Sequence, residues 1–147
     1  MLAENAPEVP APEVDNDEPQ TPHPVPARRI LIVDDNTDAA DLLSEALSLS
    51  GYETCVAYDG LSALALAAIF QPEMALLDLG LPGMNGFELA TRLHATAGLE
   101  TLKFIAITGY GMASDRRRAI ESGFEAHILK PVEFPHLEQE IERLIGP

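Results

Sequence analysis

The chain contains no tryptophan, a single cysteine and few basic residues. With one cysteine there is no internal disulfide, and no Cys/His group has metal-site spacing. Cys55 falls in a predicted strand without a basic neighbour in sequence, which favours a buried structural thiol over a reactive one. The 9 Lys and Arg residues are outnumbered by 24 Asp and Glu, giving a formal charge of −15 at pH 7. Such a field repels phosphate, so we expect no direct binding to nucleic acid.

Long apolar runs are also missing. No stretch approaches the roughly 20 apolar residues of a membrane-spanning helix. The first residues lack both the basic segment and the apolar segment of a signal peptide. These absences predict a cytoplasmic protein with no membrane contact.

Residues 1–27 differ in composition from the rest of the chain. They hold seven of the twelve prolines and six acidic residues, but no Lys or Arg. Because few of their side chains could fill a core, we expect a solvated, disordered tail or linker. Residues 28–147 are then predicted to form one domain.

Within that domain, short apolar runs alternate with longer amphipathic ones. The predicted strands are Arg29–Val33, Tyr52–Ala57, Met74–Asp78, Lys103–Thr108 and Ala126–Leu129. The predicted helices lie between Thr37 and Gly51, at Leu61–Phe70, from about Gly86 to Ala97, between Ser114 and Gly123, and at Phe134–Ile145. Thr37 and Ser114 are the expected N-caps, and Gly51 and Gly123 the expected ends. Five strands alternating with five helices predict an α/β fold with a parallel sheet covered on both faces.

Polar residues follow the predicted strands at their carboxyl ends, where open α/β sheets bind ligands. Taken singly, each has an ordinary interpretation, as a turn-forming Asp, a strand Thr or a surface Lys. The set as a whole indicates a site, and its members are Asp34, Asp35, Asp78, Thr108 and Lys130.

The chemistry of this set indicates a metal and a phosphate. Carboxylates held close together repel one another unless a cation or a proton compensates. Oxygen ligands without His or Cys select a hard cation, for which Mg²⁺ is the best candidate. A carboxylate beside a metal that neutralises phosphate charge can become an aspartyl phosphate.

Residues 28–147 resemble the receiver domain of bacterial two-component response regulators. The resemblance is carried by four motifs, which are Ile32–Asn36, Leu77–Gly86, Ile107–Gly109 and Leu129–Pro131. It implies a flavodoxin-like, doubly wound, five-stranded parallel sheet with strand order 2-1-3-4-5 and five helices. It also implies a phosphoacceptor that switches a partner-binding face, and not a turnover enzyme.

The resemblance also implies a role for each site residue. Asp78 would accept a phosphoryl group from a histidine kinase or a histidine phosphotransfer protein. Asp35, Asp78 and the carbonyl of Gly80 would ligate Mg²⁺, with Asp34 acting mainly through water. Lys130 would contact the phosphoryl group and precede a cis bond to Pro131.

Thr108 would act as the switch residue, coupled to a ring in the fifth strand. The family usually has Tyr or Phe there, whereas this chain has His127. The ring could simply pack, or it could switch and add a dependence on pH.

Three further features bear on how the site works. Gly80 leaves one side of the site open, and Tyr110 places a ring on the other side, at two positions that adjust access of water in the family. The cluster Arg116–Arg118 could dock a partner or simply relieve the acidic field.

Several alternatives stay open at this point. The domain could be a stand-alone receiver or the terminal receiver of a hybrid histidine kinase. A phosphorylation-independent binding module on the same fold is a second possibility. A phosphoaspartyl hydrolase is disfavoured, because that class needs an Asp two residues after its nucleophile. In this chain the second residue after Asp78 is Gly80.

Overall fold

A computed structural model of the protein describes residues 27–109 and 113–146. The expected tail, apart from its last residue, and Tyr110 lie outside the described residues. The strands are β1 (Arg29–Val33), β2 (Glu53–Ala57), β3 (Met74–Asp78), β4 (Lys103–Thr108) and β5 (Ala126–Leu129). The helices are α1 (Thr37–Leu49), α2 (Gly60–Phe70), α3 (Gly86–His94), α4 (Ala113–Glu121) and α5 (Phe134–Ile145). None of the helices in the described part of the chain is long and apolar enough to cross a bilayer.

The strands form one parallel sheet in the order β2-β1-β3-β4-β5, which confirms the predicted fold. Each connection contains a helix, because parallel neighbours need a crossover long enough to return the chain to the same edge. From β1 the chain adds β2 on one side of the sheet and then β3 on the other side, so the direction in which strands are added reverses at this point. The carboxyl ends of β1 and β3 lie side by side there.

The core consists of two apolar layers, one on each face of the sheet. Alternate side chains of β1, β3 and β4 point to opposite faces, as the strand period requires. One layer packs the sheet against α1 and α5 through Leu47, Leu137 and Ile141. The other packs it against α2, α3 and α4 through Ala63, Leu89 and other small and aliphatic side chains.

The helix ends differ in part from the expectation. The N-cap of α1 is Asn36, whose side-chain oxygen accepts a hydrogen bond from the Ala39 amide at 3.1 Å, and Thr37 is the first helical residue. The prediction of Thr37 as cap was therefore wrong. Asn36 has extended backbone angles, which let its short amide reach the free N–H of the first turn. The end at Gly51 is confirmed, with φ +100° and its amide bonded to Ser48 at 3.0 Å.

Two other helices also depart from the prediction. The helix α4 begins at Ala113, so Ser114 lies inside it and is not its cap. The helix α3 ends at His94, short of Ala97, and Gly98 follows with φ +86°. This early end lets the chain turn and bury Leu99, which is 1% exposed.

The thiol of Cys55 is half-buried, not fully buried as expected. It packs on the layer formed with α2 and α3. Burial raises its pKa, and a weaker lowering comes from a hydrogen bond with the Val56 backbone. The thiol therefore stays protonated at neutral pH, which agrees with a structural and not a reactive cysteine.

Candidate functional site

The sheet brings the predicted residues to one edge. Val33 is paired with Leu77, so the next residues of the two strands, Asp34 and Asp78, follow adjacent strand ends. Asp78 is in turn paired with Ile107. Because the strands are parallel, their carboxyl ends share this edge, and one oxygen from each of Asp34, Asp35 and Asp78 lies within 4.8 Å of the others.

Asp34 is held from two sides. It is 4% exposed, and its Oδ1 atom accepts a hydrogen bond from the amide of Asn36 at 2.9 Å. Its Oδ2 atom lies 3.1 Å from the Lys130 ammonium. Asp35, the next residue, is exposed and points one ligand oxygen toward the same cluster. The adjacent pair therefore supplies one fixed carboxylate and one that solvent reaches.

Asp78 lies at the centre of the cluster and is 7% exposed. Its Oδ1 atom accepts a hydrogen bond from the Gly80 amide at 2.9 Å, and its Oδ2 atom lies 3.3 Å from the Lys130 ammonium. Burial raises the pKa of Asp78 and the nearby charge of Asp34 raises it further, against the lowering by Gly80 and Lys130. The carboxylate form is thus poorly compensated without a further cation.

Lys130 is the cation that the two buried carboxylates share. Partial burial tends to lower its pKa, but the hydrogen bond and charge of Asp34 and the charge of Asp78 outweigh that and raise it. Lys130 is therefore charged at neutral pH. Its position follows from β5, since its backbone amide donates to the Thr108 carbonyl at 2.8 Å. The bond to Pro131 is cis, as the resemblance implied.

Thr108 ends β4 and is 3% exposed. It points to the same face of the sheet as Ala106, which is paired with His127 on β5. His127 is half-buried, and both of its ring nitrogens are shielded from solvent. The predicted switch pair therefore lies on one face of neighbouring strands, on the side where α4 packs.

The donor set fits a hard divalent cation. Three carboxylate oxygens converge, no His or Cys joins them among the described residues, and the exposed Asp35 leaves the site open to water. Mg²⁺ prefers such oxygen ligands and keeps several waters. Beside Asp78, Gly80 has no side chain, and a Cβ atom there would meet Asp78 Oδ1 at 3.6 Å.

Two contacts of the residues singled out above were not predicted from the sequence. Asn36 both caps α1 and donates its amide to Asp34, for which the signal was an Asn two residues after an Asp. The guanidinium of Arg118 lies 4.1 Å from the ring centre of Phe87, so one member of the arginine cluster is bound to α3. Arg117 is exposed, and the Arg116 side chain lies outside what the structure describes.

A doubly wound sheet with an acidic cluster and a lysine at its carboxyl edge defines the class of this protein. The family model for the response regulator receiver domain matches residues 30–142. The polar-differentiation response regulator DivK of Brucella anthropi is 34% identical over 119 residues, which cover 81% of this chain and 97% of DivK.

Solved structures give the same result. A CheY-like receiver domain protein from Methanospirillum hungatei is 33% identical with a TM-score of 0.74, covering 80% of this chain and 93% of its own. The chemotaxis protein CheY4 of Vibrio cholerae, at 23% identity and a TM-score of 0.77, shares the fold over 82% of this chain and all of its own.

The chain belongs to the response regulator receiver domain family. Receiver domains are phosphoacceptors of two-component signalling and generally not turnover enzymes. They receive phosphate from histidine kinases or phosphotransfer proteins, and the family generally binds Mg²⁺.

Proposed function

We propose that Asp78 is the phosphoacceptor of this receiver and that Mg²⁺ binds beside it. The observation that carries the proposal is the position of Asp78, buried at the centre of the acidic cluster with one oxygen fixed by Gly80 and the other against Lys130. A bond from the Gly80 amide fixes the rotation of the carboxylate, so the attacking group is held in place before the phosphoryl group arrives.

In the proposed reaction, a carboxylate oxygen of Asp78 attacks the phosphorus of a phosphohistidine. A P–O bond forms and the donor's P–N bond breaks, with the electron pair leaving on the imidazole nitrogen, which takes a proton from solvent. Lys130 keeps a positive charge where the phosphoryl oxygens arrive. The buried hydroxyl of Thr108 donates a hydrogen bond to one of these oxygens once they are in place.

Asp35, Asp78 and the Gly80 carbonyl would hold the metal, with Asp34 acting mainly through water. The bound cation would neutralise charge on the phosphoryl oxygens. The convergence of three carboxylates with only one ammonium supports this assignment, because the described site otherwise has more negative than positive charge.

An apolar cavity beside the site supports a docking place for the phosphodonor. Its volume is about 300 Å³, and Asp34 and Lys130 line one side of it. The apolar remainder comes from α1, the end of β4 and the segment from Pro131 to Phe134, and it includes Leu42, which is 67% exposed. A histidine-bearing helix packed on this surface would bring its phosphoryl group to Asp78.

The acceptor assignment is tested with acetyl phosphate and Mg²⁺, which need no partner protein. One phosphoryl group should be added to the intact chain, as measured by mass spectrometry. Asp78→Asn should abolish the gain, because an amide is a poor nucleophile. Asp38→Asn, an exposed residue in the first turn of α1, serves as the control and should be labelled normally. Undiminished labelling of the Asp78 variant would disprove the assignment.

The docking surface is tested separately from the chemistry. Leu42→Glu should slow transfer from a phosphorylated histidine phosphotransfer protein that labels the wild-type chain, but should leave labelling by acetyl phosphate unchanged. Leu49→Glu, at the last residue of α1 and 85% exposed, is the matched control. If both variants slow transfer equally, general charge repulsion is responsible and the surface is not a docking site.

A further inference from the structure

The helix α2 has an apolar outer face that nothing in the described part of the chain covers. None of its 11 residues, GLSALALAAIF, is charged. A helix that is apolar all round is normally buried on all sides. Here Leu61 and Ile69 are 71% and 86% exposed.

The exposed residues of α2 are arranged symmetrically about Ala65. Leu61 and Ile69 lie four residues before and after it, and Ser62 and Ala68 lie three residues before and after it, all exposed. At about 100° per residue, these five positions form one stripe roughly 120° wide. The stripe is therefore small in its middle and large at both ends.

We propose that two copies of this chain associate through α2, with the two helices antiparallel and a two-fold axis at Ala65. This axis brings Leu61 of each copy against Ile69 of the other, and Ala65 against its own counterpart. Small residues at the crossing allow the helices to approach closely. A two-fold interface needs one surface that fits itself, and the symmetry of the stripe provides that property.

The electrostatics of the chain limit where a second copy can bind. Two copies carrying −15 each repel at most relative orientations. α2 is a face on which they can meet without bringing charged side chains of the helices together. The antiparallel arrangement also sets the positive end of each helix dipole beside the negative end of the other.

The size of the stripe predicts a weak association. Five side chains of one short helix bury less than the roughly 800 Å² per partner of a standard stable interface. We expect a dissociation constant between about 10 µM and 1 mM, as for a transient interface.

Sedimentation velocity of the full chain over that concentration range tests the proposal. The weight-average sedimentation coefficient should rise toward the dimer value with concentration. Ile69→Glu should raise the dissociation constant at least tenfold, since it buries an unpaired carboxylate against Leu61 of the other copy. Ile120→Glu is the matched control, the same change at a residue of α4 that is 62% exposed, and should sediment like the wild type. A monomer throughout, or a dimer lost in Ile120→Glu but kept in Ile69→Glu, would overturn the proposal.

Crosslinking at the axis gives an independent readout. In a Cys55→Ser background, Ala65→Cys should form a disulfide-linked dimer on mild oxidation, because each new thiol faces its own copy. Ser122→Cys, exposed just after α4, is the control and should crosslink much more slowly. Equal rates for the two would contradict an axis at Ala65. The association does not require Asp78, so Asp78→Asn should behave like the wild type in both assays.

Discussion

Removal of the Lys130 ammonium should destabilise the metal-free domain and enlarge the effect of Mg²⁺ on its stability. In the folded chain this ammonium lies 3.1 Å from Asp34 and 3.3 Å from Asp78, and both carboxylates are buried. At an effective dielectric constant of 20, each pair attracts with about 5 kcal/mol before desolvation is counted. In the intact site, the desolvation of the charges offsets most of that attraction. In a variant without the ammonium, the two buried carboxylates face each other with no positive charge between them.

The expected loss in Lys130→Ala follows from this geometry. Removing one partner of a fully buried pair costs about 3–5 kcal/mol. Because the Lys130 side chain is 30% exposed, we expect a loss at or below the lower limit of that scale, about 2–3 kcal/mol. In a domain of this size the melting temperature would fall by roughly 6–15 °C. The loss should shrink at acid pH, where protonation of the carboxylates removes their repulsion.

Thermal melts in EDTA and in excess Mg²⁺ measure both quantities. The divalent cation stabilises the native state by mass action, and it should recover more stability in Lys130→Ala than in the wild type, since it also relieves the new repulsion. Lys103→Ala is the matched control. Lys103 is a half-buried lysine at the first residue of β4, at the end of the strand away from the site, and the expected change in the free energy of unfolding is below about 1 kcal/mol. Equal losses in the two variants, or no loss in Lys130→Ala, would refute the electrostatic account.

Three further predictions concern single site residues. Asp78→Asn should raise the melting temperature in EDTA at neutral pH. The pKa of Asp78 is raised in the folded chain, so its ionisation lowers the free energy of unfolding above the pKa of the folded state and has no effect below the pKa of the unfolded state. The difference in melting temperature between variant and wild type should therefore vanish in acid. A variant that melts lower than the wild type at neutral pH would contradict this prediction. Asp35→Ala should lose most of the Mg²⁺-induced shift in melting temperature with little intrinsic loss, because a repulsive charge leaves with it; an unchanged shift would move the metal elsewhere. The third prediction compares the response of the α4 amide chemical shifts to a phosphoryl mimic in His127→Phe and in the wild type. The response of the variant should be the same at every pH from about 5.5 to 8, whereas the response of the wild type should weaken in acid. Identical behaviour of the two proteins would mean that His127 only packs.

The strand bounds could be predicted almost to the residue, for a physical reason. A parallel strand buried on both faces is a continuous apolar run, and here each run stops where the chain reaches the polar edge. β3, with every residue buried from Met74 to Asp78, is the clearest case. The one difference is β2, which starts at Glu53 because the Tyr52 amide is bonded to Leu47 in the turn that ends α1.

What the sequence could not supply depends on contacts across the fold. Nothing in the order of residues indicates that the Lys130 ammonium bridges two carboxylates or that Arg118 lies over Phe87. The outer face of α2 was equally hidden, because a helix that is apolar all round has no periodicity to show which side faces solvent. Local signals did indicate the end of α1 at Gly51, where a positive φ is needed.

The charges at the site also indicate how the proposed phosphorylation of Asp78 would drive a switch. With Lys130 charged, the three ionised carboxylates leave the site with a net charge of about −2, which one divalent cation would neutralise. Conversion of the Asp78 carboxylate to an acyl phosphate then adds only about one further negative charge, but it adds three acceptor oxygens. The larger change is therefore in hydrogen bonding.

Thr108 is the buried hydroxyl at this edge, on the face where α4 packs. A shift from 1:99 to 99:1 between two states takes about 5.5 kcal/mol of differential binding. A hydrogen bond from Thr108 to a charged phosphoryl oxygen, worth about 1.5–3 kcal/mol, cannot supply that alone. We therefore expect Lys130, whose ammonium already lies 3.3 Å from Asp78, to contribute as well.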